Sequence, residues 1–94
     1  MEIYNVVVMS CGWSSVSSFS TKEGAMEDIK RMEEGQKFLE GKTLKSLFTY
    51  GEHDAPNPPC LSTGGNIIYC SKAVTEYLNE ERVTWRVVIE QELR

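Results

Sequence analysis

The chain begins with an apolar run that does not alternate. In IYNVVVM, Ile3 to Met9, the residues Tyr4, Val6 and Val8 form one alternating set, and Ile3, Val7 and Met9 form the other, with Asn5 between them. A β-branched run that is apolar on both sets predicts a strand buried on both faces. In a small chain, the second face then needs a helix, a long loop or another subunit to cover it. Ser10, Cys11 and Gly12 interrupt the run, and Gly12 can take the positive φ of a tight hairpin. Trp13 to Phe19 is the returning strand. Its apolar residues at 13, 16 and 19 fit neither strand nor helix period, and a bulge is the expected reconciliation.

Ser20-Thr21-Lys22-Glu23 matches the S-x-x-E capping box, so Ser20 or Thr21 starts a helix. Ala25, Ile29 and Met32 make its apolar stripe, with Met26 on the flank and Glu27, Lys30, Arg31 and Glu34 on the solvent side. Gly35 is its natural stop, although Gln36 to Glu40 can add a turn. Lys42 to Tyr50 places Leu44, Ser46, Phe48 and Tyr50 on one alternating set; it fits a strand or a short helix, and the strand is the first expectation. Residues 51 to 66, GEHDAPNPPCLSTGGN, hold three prolines, three glycines and two asparagines. Pro58-Pro59 removes two donors and fixes φ, which excludes regular structure there.

Ile67 to Cys70 reads as a short strand, and Ser71 as the cap of a second helix with Ala73, Val74, Tyr77 and Leu78 on its apolar side. Val83 to Glu92 alternates cleanly. Val83, Trp85, Val87 and Ile89 are expected to face the core, and Thr84, Arg86 and Glu90 to face water. The expected fold is α+β, a small antiparallel sheet in ββα–loop–βαβ order with two helices packed on it. No repeat or linker divides the chain, so residues 1–94 form one domain.

Size and charge narrow the function classes. The chain has 94 residues, 40% of them hydrophobic and 26% charged, as expected for a single globular domain rather than a disordered one. Fourteen acidic and ten basic residues give a net charge of −4, which disfavours nucleic acid as a first-choice partner. The signs are interspersed: residues 22 to 42 carry six acids and five bases, the mark of a solvated mixed-charge helix. No stretch has the ~18 to 20 apolar residues of a membrane span. The acid at position 2 and the brief apolar run do not make a signal peptide. Three cysteines without paired spacing point to reduced thiols and a cytoplasmic setting.

Candidate chemistry is sparse. SCGWSSVSSFST, residues 10 to 21, looks reactive with its six serines. Yet Gly12-Trp13-Ser14-Ser15-Val16 has valine where a nucleophile elbow needs its second glycine. Cys11-Gly12-Trp13 separates the thiol from the aromatic residue by a glycine, unlike thiol proteases. His53 is the sole base available to Cys11, and a lone histidine in a polar loop is more often solvated. Gly41-Lys42-Thr43 lacks the first glycine of a phosphate loop, since position 36 is Gln36. Trp13, Trp85 and Tyr50 suit a core better than a base-stacking platform. No catalytic set and no cofactor motif emerges, and the chain reads as a non-enzyme.

Two binding sites remain as expectations. Ser62, Thr63, Gly64, Gly65 and Asn66 can form an anion-holding nest of backbone N–H groups, with Lys42, Lys45 or Lys72 supplying charge. Cys11, His53, Cys60 and Cys70 supply the ligands of a Cys₃His zinc staple, although no C-x-x-C pair is present. The leading functional expectation is a binding protein that occupies a partner protein's surface, as inhibitor or adaptor. Compact acidic α+β chains without a catalytic signature are of the type found among small phage and mobile-element accessory proteins. Open sheet edges further suggest a homodimer formed by strand pairing. The alternative is a protein that sequesters a small anionic ligand or nucleotide with loop 51 to 66 as its lid.

Overall fold

In a computed structural model, the apolar run at the N-terminus is strand β1 (Glu2–Ser10), followed by β2 (Trp13–Phe19), helix α1 (Lys22–Lys37), β3 (Leu44–Tyr50), β4 (Asn66–Tyr77) and β5 (Glu80–Glu92). The structure describes residues 1–10, 12–38, 43–51, 53–59 and 64–93. The five strands make one antiparallel sheet in the order β2-β1-β5-β4-β3. The first and last strands of the chain are therefore neighbours inside the sheet, and β2 and β3 are its edges.

This order explains the doubly apolar β1. Val6 and Val8 point to one face, where Ala25 and Ile29 of α1 close over them together with Val88. Val7 points to the other, into a cluster with Cys70, Val87 and Ile89. There the Pro-rich segment lies across the sheet: Ala55 packs on that cluster and Pro58 is buried. A helix covers one face and a loop covers much of the other. The helix stripe is as expected, with Ala25 and Ile29 buried, Met26 and Met32 against the core, and Glu27, Lys30, Arg31 and Glu34 exposed or nearly so. Thr21 rather than Ser20 is the N-cap. Its Oγ1 accepts from the Gly24 N–H at 3.1 Å, so N3 is Gly24, which has no carboxylate, and the box expected between Ser20 and Glu23 does not form.

Three expectations need correction. The expected second helix is absent, because Ser71 to Tyr77 continues β4, and the order among the described residues is ββαβββ with one helix. Ala73 and Val74 fit a helical stripe, but Ser71 and Ala73 equally share one strand face with Lys72 and Val74 on the other. Pairing with β3 on one side and β5 on the other decides for the strand. Leu78 and Asn79, both at positive φ (51° and 65°), then form the two-residue turn into β5.

Nor does β2 contain a bulge. Its register with β1 is unbroken from Tyr4↔Phe19 to Ser10↔Trp13. As an exposed edge, β2 need not put its apolar residues on one face, and Val16 is left 63% exposed. Finally, Arg86 does not face water. It lies on the central strand under α1's face of the sheet and is only 9% exposed.

Candidate functional site

The long β4–β5 pairing and the β1–β2 hairpin meet at one end of the sheet, where a cleft of about 610 Å³ opens. Met9 and Trp85, register partners on β1 and β5, form its floor. Trp13 and Ser14, the first residues of β2, make one wall, and Val83 and Pro59 narrow the other sides. Trp85 is held in place by Lys72, whose ammonium sits 5.5 Å from the ring centroid. Trp13 remains 55% exposed, so an indole stands at the mouth of an apolar cleft beside the free edge of the sheet. Among the described residues, the charged lining is Glu81 and Arg82, of opposite sign, and none of the lining resembles a nucleophile with its base. What it can do is seat a bulky apolar group.

The two edges of the sheet differ. β3 carries Lys45, whose Nζ contacts Glu76 at 2.6 Å and Glu81 at 3.2 Å, and its pairing with β4 slips between Leu44 and Ser46. Those two carboxylates raise the Lys45 pKa, chiefly through the bond to Glu76. Charge and a bulge are the usual guards against unwanted strand addition. β2 has neither: WSSVSSF holds no charge and no proline, and its ladder to β1 is regular.

A buried polar cluster sits beneath the C-terminal half of α1. Tyr69 donates from its hydroxyl to Glu33 Oε1 at 2.5 Å. Burial, with that carboxylate, pushes the Tyr69 pKa up to about 12. Arg86 and Ser71 face each other across β4 and β5. Arg86 Nε and Nη1, Ser71 Oγ and Gln36 Oε1 are buried without a hydrogen-bond partner among the described residues. Burial lowers the Arg86 pKa, and Glu33 opposes that effect. Sequence reasoning missed Arg86 by reading it as solvent-facing. The available signal was Val88, an apolar residue on the same strand face between Arg86 and Glu90.

The expected sites are distributed as follows. Of the anion nest, Ser62 and Thr63 lie outside the described residues, as does Lys42. Gly65 lies against β5, so that a Cβ there would meet the Glu90 carbonyl and the Ile89 side chain. Asn66 pairs with Glu90, and Glu2 and Glu92 pair at the same end of the sheet. Lys45 works near Thr75 at the far end of β4, roughly 30 Å away at ~3.3 Å per residue, and Lys72 is engaged over Trp85. Of the zinc set, Cys11 and Cys60 lie outside the described residues. His53 is exposed, while Cys70 is fully buried in the Val7 cluster, where burial pushes its thiol pKa up to about 11. Among the described residues, no His, Cys, Asp and Glu side chains group as metal ligands, and no helix is long and apolar enough to cross a membrane. Comparison with protein-family models, with curated protein sequences and with solved structures gives no match.

Proposed function

We propose that the protein is a non-enzymatic binding module that takes an extended segment of a partner protein along the outer edge of β2. The observation that carries this reading is the contrast between the edges. β3 is guarded by Lys45 and a bulge, whereas β2 offers a regular, uncharged edge of seven residues. Main-chain hydrogen bonds along such an edge supply affinity, and a pocket at its end supplies selectivity. The cleft lies at the first residues of β2, so a strand added there sets one side chain beside Ser14, on the face that carries Met9 and Trp85, with Trp13 at the rim. The segment selected is uncharged along the edge and bulky and apolar at the cleft.

Selection from a displayed library of random peptides tests this reading. Enriched peptides should share a large apolar residue flanked by small or β-branched ones. Their binding should fall for Trp13→Ala and for Val16→Pro. Binding unaffected by both variants would refute it.

A second reading rests on Arg86. A guanidinium buried with donors that have no hydrogen-bond partner among the described residues, across the ladder from the Ser71 hydroxyl, suits a small oxyanion. Inorganic phosphate should then raise the melting temperature of the wild type, as binding to the native state alone requires, and leave Arg86→Met unmoved. An equal response from both proteins would dismiss it.

A further inference from the structure

The edge of β2 is nearly its own mirror. Read from Val16 outward, WSSVSSF has serine at 15 and 17, serine at 14 and 18, and an aromatic residue at 13 and 19. A two-fold axis through Val16, perpendicular to the sheet, therefore sets valine opposite valine, serine opposite serine, and Trp13 opposite Phe19 of the second copy. Isologous pairing needs such self-complementarity, and most strand sequences lack it.

The backbone phase agrees with the side-chain symmetry. Leu93 N–H donates to the Met1 carbonyl, so odd-numbered residues of the first strand aim at β5 and even-numbered ones at β2. Val6 and Val8 are opposite Ser17 and Ser15, which places the bonding groups of 15 and 17 toward β1. The two-residue connection between Ser10 and Trp13 demands the same phase, since the pair closing such a hairpin is a bonded one. Ser14, Val16 and Ser18 therefore present their N–H and C=O groups to the free edge. In the register centred on Val16 these are the residues that meet: Val16 with Val16, and Ser14 with Ser18 in both directions. Each pair exchanges both of its N–H···O=C bonds.

From the palindromic edge and its phase we infer that the segment taken by β2 is β2 of a second copy, joined antiparallel about Val16 into a continuous ten-stranded sheet. This inference rests on the reading of β2 as a binding edge and names its occupant. The axis keeps the faces of the sheet, so both α1 helices stand on one side and both Pro-rich segments on the other. No charge lies on the paired edges, so no like-charge repulsion arises between them. A single-strand interface is small, and the association is reversible. Phe19 of the second copy arrives beside Trp13 on α1's face of the sheet, and its Ser18 arrives beside Ser14 on the face that carries Met9 and Trp85.

The test uses the residue on the axis. Sedimentation equilibrium of the wild type should show a concentration-dependent dimer. Val16→Glu and Val16→Lys, each placing like charges face to face across the axis, should each be monomeric where the wild type is dimeric. An equimolar mixture of the two should dimerise again, because the axis then sets Glu against Lys. Val16 is exposed, so the fold should tolerate both changes. Should either variant lose its circular-dichroism spectrum, Val16→Pro takes its place. It removes only an outward N–H and should also be monomeric. A wild type that stays monomeric overturns the inference, as does a dimer indifferent to position 16 or a mixture no better than its parts. A monomer that still binds selected peptides in a Val16→Pro-sensitive way overturns the second-copy inference alone. A monomer that binds none overturns the edge reading too.

Discussion

Arg86 and Cys70 show how much single residues on inner strands depend on what packs above them. Arg86 keeps a guanidinium under α1's face of the sheet with two nitrogens that have no hydrogen-bond partner among the described residues. Removing it to leave a hole costs the packing of a long side chain, whereas a methionine keeps the volume and drops the unmet donors. Arg86→Ala should destabilise by about 2 to 4 kcal/mol in urea unfolding, and Arg86→Met by less than about 1 kcal/mol. For Cys70, burial favours the neutral thiol and raises its pKa from the ordinary 9.0 to about 11. A group raised in this way gives its full contribution below pH 9 and loses it as pH climbs through 11. The urea midpoint should therefore fall across that interval, and Cys70→Ala should flatten the fall. Both residues sit where pattern reading is weakest. The alternation Val83-Trp85-Val87-Ile89 was legible, but whether the opposite face met water depended on α1, which is distant in sequence.

At the scale of elements, β1, β2, α1, β3 and β5 were legible because each carries a local signal: a β-branched run, a glycine turn, a cap with a 3.6-residue stripe, or a period of two. The span from Ser71 to Leu78 carried two signals at once, and long-range pairing chose between them. Its turn was hidden because Leu78-Asn79 is not the usual Asn-Gly pair, yet both residues hold positive φ. A leucine there is under steric strain. Replacing Leu78-Asn79 with Asn-Gly should raise stability by about 1 kcal/mol in thermal unfolding, through relief of that strain. At the other junction, Thr21→Ala removes the acceptor for the Gly24 N–H and should cost about 1 kcal/mol. Gly65→Ala should also destabilise, because the Glu90 main chain cannot recede from the added carbon without disturbing the β4–β5 ladder.

At the scale of the whole molecule, the sheet is closed by a helix on one face, by a proline-rich segment on much of the other, and by ion pairs and a bulge on the β3 edge. Among the described residues, the β2 edge is the side left without such a guard. That asymmetry was not legible from sequence, since edge and centre are properties of strand order. The serine-rich stretch was legible only as turn, strand and cap, and its symmetry gained meaning once β2 was placed at the rim. Residue-resolved amide hydrogen exchange, followed as the protein is concentrated, tests the role of this edge most directly. Ser14, Val16 and Ser18 should exchange freely in dilute solution and become protected as concentration rises, while Ser15 and Ser17, bonded to β1 throughout, stay slow. Free exchange at 14, 16 and 18 at every concentration, or new protection on β3 instead, would contradict the account.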